Sequence, residues 1–210
     1  KVGELGNVQE IYSFKLSFPA FIPQIRLQEP TSFYWLTDPL LKEQFDTVLV
    51  RYDEIRDLHT FVHKLVVKRF PKNIIISTVM PDDVLDALSP KIYIKKLKTL
   101  KSLLSRFGFS LIATTIDTYT YTNDPPLLSW GKTMEVVLKA SQLVELDIPL
   151  IGLIKGANKR QIKWCNERLN FRYKAFPCRE LMEDKNTNLI AYAVEEIHKS
   201  GAISILIGCN

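Results

Sequence analysis

Short apolar runs rich in β-branched residues alternate along the chain with longer segments whose apolar residues recur at three- and four-residue steps. The runs Ala20–Arg26, Thr47–Tyr52, Asn73–Thr78, Phe109–Ile116, Pro149–Lys155, Phe171–Phe176 and Ile203–Gly208 read as seven strands. Between them, Pro39–Gln44, His59–Arg69, Pro90–Phe107, Trp130–Leu146, Lys159–Leu169 and Asn188–Ser200 read as helices. Leu97, Leu100, Leu103 and Leu104 form one helical stripe, and Val136, Val137, Ala140 and Leu143 form another. Strands that are apolar throughout are buried on both faces, as in parallel sheets covered by helices. Strand–helix units of roughly 30 residues imply right-handed crossovers, leaving a doubly wound sheet or a barrel. Glycine-rich phosphate loops of the forms G-x-G-x-x-G and G-x-x-x-x-G-K-[ST] are missing, which removes the most specific argument for a nucleotide-binding open sheet. The expected fold is therefore α/β, a (β/α)8 TIM-type barrel. Such barrels usually take about 250 residues. A chain of 210 predicts one that is incomplete or has a shortened last unit. Residues 1–17 read as an N-terminal cap, with Glu10–Ser17 a short strand or hairpin, and 1–210 as a single domain.

Composition narrows the class without naming a function. Hydrophobic residues make up 46% and charged residues 24%, which excludes disorder and small disulfide scaffolds. The longest apolar runs fall far short of the ~20 residues a membrane-spanning helix needs, and no secretory signal pattern is visible, so a cytoplasmic location without membrane contact is expected. Cys165, Cys178 and Cys209 are odd in number and lack Cys-x-x-Cys spacing, which predicts buried thiols rather than a disulfide framework or a structural zinc site made by this segment alone, and no cofactor is expected in this segment. The net charge of +5 arises from 28 basic and 23 acidic residues, with basic runs at Lys64–Arg69, Lys91–Lys101 and Lys155–Lys163. Lys95, Lys96, Lys98, Lys159, Arg160 and Lys163 are candidates for contact with a polyanion, the alternative being ordinary solvated helix faces.

Candidate chemistry sits where strands end, because a barrel gathers the C-terminal ends of its strands at one mouth. Asp117 closes the apolar run Leu111–Ile116 and is placed to accept hydrogen bonds from a ligand, or else to cap a turn. Lys155 follows Leu150–Ile154 in the same manner and either meets a ligand or reaches out to water. Asp82 and Asp83 are candidate acid–base groups after the third strand, although Pro-Asp-Asp before Val84, Leu85 and Leu88 also reads as a helix start. His59 and His63 share a helix face without the Glu or Cys partners of a metal site, and with His198 they assemble no nucleophilic triad.

At these strand ends the chain resembles the tRNA-guanine transglycosylase superfamily, (β/α)8-barrel enzymes that exchange a guanine in tRNA, or in some relatives DNA, for a 7-deazaguanine base. Phe18-Pro19-Ala20-Phe21-Ile22-Pro23 is similar to the family's first strand. Ile116-Asp117-Thr118 with Pro125-Pro126 is similar to its Leu-Asp-x-x-Thr-Pro region, and Ile151-Gly152-Leu153-Ile154-Lys155-Gly156-Ala157 to its Gly-Ile-Val-Gln-Gly-Gly. The resemblance implies that Asp117, Lys155, Gly156 and Phe176 bind the base, with Lys155 where the family has a Gln and Phe176 near where it has a Gly. A lysine only donates, and a phenylalanine is expected to crowd the slot a purine enters. The third strand reads Thr78-Val79-Met80-Pro81 in place of the family's Thr-Asp-Ser-Gly, so Asp82 or Asp83 takes the catalytic role only through a displaced loop. The family's eighth-strand nucleophile and its zinc region would both lie beyond Asn210.

The leading expectation is a divergent transglycosylase-like protein that acts on or binds tRNA or DNA and a guanine-type base, alone or as part of a homo- or hetero-oligomer. One alternative is a non-catalytic nucleic-acid-binding subunit or paralogue. The other is a metabolic barrel enzyme in which Lys155 forms a Schiff base or contacts phosphate.

Overall fold

The computed structural model describes residues 6–11, 14–27, 29, 38, 45–68, 70–120, 122–183 and 186–208, the side chains of Glu180 and Glu183 excepted. Its strands are β1 (Val8–Gln9), β2 (Gln24–Ile25), β3 (Thr47–Arg51), β4 (Asn73–Ser77), β5 (Ser110–Thr114), β6 (Leu150–Leu153), β7 (Leu169–Asn170), β8 (Tyr173–Pro177) and β9 (Ile203–Ile207). The helices are α1 (Leu58–Val67), α2 (Asp82–Ala87), α3 (Pro90–Ser105), α4 (Pro126–Ser141), α5 (Lys159–Arg168), α6 (Arg179–Glu183) and α7 (Thr187–Lys199). Seven strands form one parallel sheet in the order β2-β3-β4-β5-β6-β8-β9, and β1 pairs separately with β7.

This order is not that of a doubly wound sheet. A doubly wound sheet must reverse its strand order at a switch point, whereas here the order follows the chain from edge to edge, so right-handed crossovers carry every helix to one face. The packing agrees. Val48, Ile74, Ile76, Leu111, Ala113 and Leu150 join helix residues such as Leu65, Leu97, Leu104 and Val136 in one cluster. Leu49, Ile75, Ile112, Ile151, Tyr173 and Ala175 form a second cluster that contains no helix residue. The result is an α/β fold whose parallel sheet curls into a half-barrel.

All seven expected strands are present, and five of the six expected helices. The sixth, Pro39–Gln44, lies outside the described residues, as do Tyr12, Ser13, Cys209 and Asn210. Helix starts follow local chemistry. The side chains of Asp57, Ser89 and Asn158 accept the backbone N–H groups of Thr60, Ile92 and Gln161, and Pro90 occupies the first position of α3, where its missing N–H costs nothing. The α3 chain reverses at Gly108, whose φ of +74° suits a residue without a Cβ. Burying a side chain such as Ile74 or Leu104, each at 0% exposure, stabilises the fold by about 1.5–3 kcal/mol.

The inner face of the half-barrel is covered by the N-terminal segment. Leu16, Phe18 and Ile22 pack on its apolar row. The Tyr173 hydroxyl accepts the Leu16 N–H at 2.7 Å and donates to the Leu16 carbonyl at 2.7 Å, while Phe18 meets the Tyr173 ring edge-on at 5.2 Å. The expectation of buried thiols holds for Cys165, which is free and buried, and fails for Cys178, which is disulfide-bonded. No helix among the described residues is long and apolar enough to cross a membrane.

Candidate functional site

The C-terminal ends of the strands surround a cavity of about 790 Å³. Six residues singled out from the sequence border it together: Asp82, Asp83, Asp117, Lys155, Gly156 and Phe176. Arg51, Thr120 and Arg179 border it as well.

Asp117 is held by a network of threonine hydroxyls at the ends of β4 and β5. Thr78 Oγ1 accepts the Asp117 N–H at 2.9 Å and donates to the Thr115 carbonyl at 2.7 Å. Thr114 Oγ1 accepts the Thr78 N–H at 3.0 Å, and Thr115 Oγ1 accepts the Leu153 N–H from β6 at 2.9 Å. From the helix side, the Tyr93 hydroxyl donates to the Thr114 carbonyl at 3.0 Å. These buried groups are satisfied by one another, so the strand ends are fixed before any ligand arrives. The sequence signal was the run Thr114-Thr115-Ile116-Asp117-Thr118, in which polar residues interrupt an otherwise apolar strand.

The Asp117 side chain is 4% exposed, and its Oδ2 lies 3.4 Å from Lys155 Nζ, itself on a side chain only 10% exposed. The Thr118 N–H donates to Oδ1 at 2.8 Å. Burial pushes the Asp117 carboxyl above the ordinary carboxylate range, while the Lys155 ammonium and the Thr118 N–H pull it back. One sequence-derived candidate just beyond β5 and another just beyond β6 therefore form a buried ion pair at the mouth.

Lys155 is placed by the turn that follows it. Gly156 sits so close to α5 that an added Cβ would lie 2.6 Å from the Ile162 nitrogen and 2.9 Å from the Gln161 carbonyl carbon, both backbone atoms. Gln161 completes the turn, accepting the Ala157 N–H at 2.7 Å and donating to Ser129 Oγ at 2.7 Å. Replacing Gly156 by alanine is expected to cost about 1–3 kcal/mol and to shift Lys155. Denaturant unfolding gives the first quantity, and a loss under 0.5 kcal/mol would show that the turn relaxes freely.

Asp82 and Asp83 open α2 after Pro81, so the helix start read from the sequence and the cavity position both hold. Asp82 is half-buried, and its charge contributes to raising the Asp117 carboxyl. Phe176 is 2% exposed and packs into the helix-side cluster while bordering the cavity, because β8 turns Tyr173 and Ala175 inward and Lys174 and Phe176 outward. The loop after Asp117 is anchored to α4. Thr118 Oγ1 donates to the Lys132 carbonyl at 3.0 Å, and Lys132 Nζ lies 4.0 Å from the Tyr119 ring centroid.

The basic candidates divide. Lys95 and Lys98 are exposed on α3 and line a shallow groove with Lys91. Lys96 turns inward, donating to the Ile55 carbonyl with its Nζ 4.3 Å from the Tyr52 ring centroid, and burial lowers its pKa. On α5, Lys159 lies over Tyr192 and Arg160 over Trp130, while Lys163 faces Glu167 at 4.0 Å. Trp130 in turn meets Trp164 edge-on at 5.7 Å, and Arg168 lies over Trp164. His59 and His63 are exposed on α1, and His198 shares a 2.9 Å hydrogen bond with Ser204. Among the described residues no three His, Cys, Asp or Glu side chains converge as metal ligands would. No known protein-family model matches the chain, and no curated protein matches its sequence.

Proposed function

We propose that the mouth binds a nucleobase with a lactam edge, as in guanine, and that the chain is a divergent transglycosylase-like protein on an incomplete TIM-type barrel. The observation that carries this reading is the buried Asp117–Lys155 pair, with 3.4 Å between Oδ2 and Nζ. A carboxylate beside an ammonium offers an acceptor next to a donor, and the adjacent N–H and C=O of a lactam are their complement. Lysine alone cannot replace an amide's two roles, but the pair supplies both. Phe176 packs toward the helices while bordering the cavity, which supports room for a base beside the pair.

The reaction class of this reading is glycosidic base exchange. A carboxylate attacks the anomeric carbon as the C–N bond to the base breaks, an acid protonates the departing base, and a second base then displaces the carboxylate. Asp82 and Asp83 border the cavity and are the candidates for the acid–base role. The nucleic acid, tRNA or DNA, is engaged through Lys95, Lys98, Lys159 and Arg160. The cation–aromatic contacts at Trp130, Trp164 and Tyr192 suit phosphate contact beside stacked bases. A cytoplasmic site of action belongs to the same proposal.

Calorimetric titration with guanine, 7-deazaguanine and adenine tests the binding. Guanine should bind, adenine should not, and Asp117→Asn should weaken guanine at least tenfold. Incorporation of radiolabelled guanine into tRNA tests the exchange, with Asp82→Asn and Asp83→Asn as controls. Equal affinity for adenine, or none for any base, rejects the reading. A second reading, a Schiff-base enzyme, draws on Lys155 being a buried strand-end amine beside a carboxylate. Borohydride trapping of a carbonyl compound on Lys155 would select it instead.

A further inference from the structure

Among the described residues, the buried hydroxyls around the mouth are satisfied with one exception. Thr78, Thr114, Thr115, Thr118, Ser129 and Thr133 all have partners within 3.2 Å. Thr120 is 8% exposed and borders the cavity three residues beyond Asp117, and its Oγ1 is the one buried side-chain polar atom among the described residues with no hydrogen-bond partner. Native structures rarely leave such a group unpaired, and those that do invite an explanation in function. A threonine side chain exchanges the places of its hydroxyl and methyl by one rotation about Cα–Cβ, so a residue on the cavity wall can turn its oxygen to a ligand without moving the backbone.

Building on the nucleobase reading above, we propose that Thr120 is a specificity-determining residue whose hydroxyl makes a third polar contact to the bound base. Asp117 accepts, Lys155 donates, and the Thr120 hydroxyl can do either. The preferred ligand then carries a further donor or acceptor outside its lactam edge, such as an exocyclic group or a second ring nitrogen. A simple lactam ring without one forfeits that contact. The hydroxyl has no partner in this structure and gains one in the complex, so the contact favours the bound state.

The test is titration of wild type, Thr120→Val and Thr120→Ser with guanine and with 2-pyridone, a lactam ring that lacks further polar groups. Valine keeps the shape and removes the hydroxyl, while serine keeps the hydroxyl. The expected result is guanine bound about tenfold more weakly by Thr120→Val and at near wild-type affinity by Thr120→Ser, with 2-pyridone indifferent to either change. The ligand-free Thr120→Val protein should also melt about 2–4 °C higher, because an unpaired buried hydroxyl is gone; this also shows that the variant folds. Wild type that binds guanine and Thr120→Val that binds it equally would overturn the role of Thr120 and leave the nucleobase reading standing. Wild type that binds no base would overturn both.

Discussion

Asp117→Ala is expected to lower the unfolding free energy by about 3 kcal/mol. The Lys155 side chain is 10% exposed, and the alanine variant would leave its ammonium without a counter-charge. Breaking one partner of a buried ion pair commonly costs about 3–5 kcal/mol. The low end applies because Lys155 borders an open cavity, through which its amine can partly regain water. The Thr118 N–H loses its acceptor in the same step. For a chain of this size the melting temperature should fall by roughly 6–12 °C. Asp117→Asn keeps an oxygen for Thr118 and should lose less. A fall below 1 kcal/mol for the alanine variant would mean that water already screens the pair, as it does at protein surfaces.

Lys155→Met should show its effect as a change in pH dependence. Burial raises the Asp117 carboxyl in the folded state, so between the unfolded carboxylate pKa of 3.8 and the raised folded value the native protein holds more protons than the unfolded chain. Stability contributed by this group is therefore full below 3.8 and is lost as pH rises through the folded pKa. Lys155 opposes the shift, and removing it extends the window upward. Lys155→Met is expected to be close to wild type near pH 4 and less stable by about 2–3 kcal/mol at pH 8. Urea unfolding from pH 4 to 8 measures the difference. A Lys155→Met curve parallel to wild type would show that Asp117 does not titrate in this environment.

Most strands were legible because each is a short run dominated by β-branched and other apolar residues, and the positions of Asp117 and Lys155 were legible because each is the first charge after such a run. Their pairing was not, since it depends on the register that places Thr114 beside Ile151 and so brings the two strand ends together. Phase along β8 was equally hidden. A shift of one residue would have turned Phe176 into the barrel and Tyr173 out, and a run such as Tyr173-Lys174-Ala175-Phe176 does not declare its own inner face. Lys96 reads as one more charge in a basic helix, and only its position over Tyr52 turns it inward. The unpaired hydroxyl of Thr120 is a property of its surroundings that residue type does not encode. The β1–β7 pair and α6 are too short to leave a periodic signal.

The contact between Leu16 and Tyr173 joins residues 157 positions apart, whereas strands that neighbour one another in the sheet follow closely along the chain. Closing a longer loop carries the larger entropic cost, growing as about (3/2)RT ln n. The cover over the inner face is thus the least locally tethered part of the fold and is expected to open first in local unfolding. Such an opening would bare the Ile75, Ile112 and Ile151 row from within while leaving the helix layer intact, making that row the point where the native protein is most exposed to aggregation.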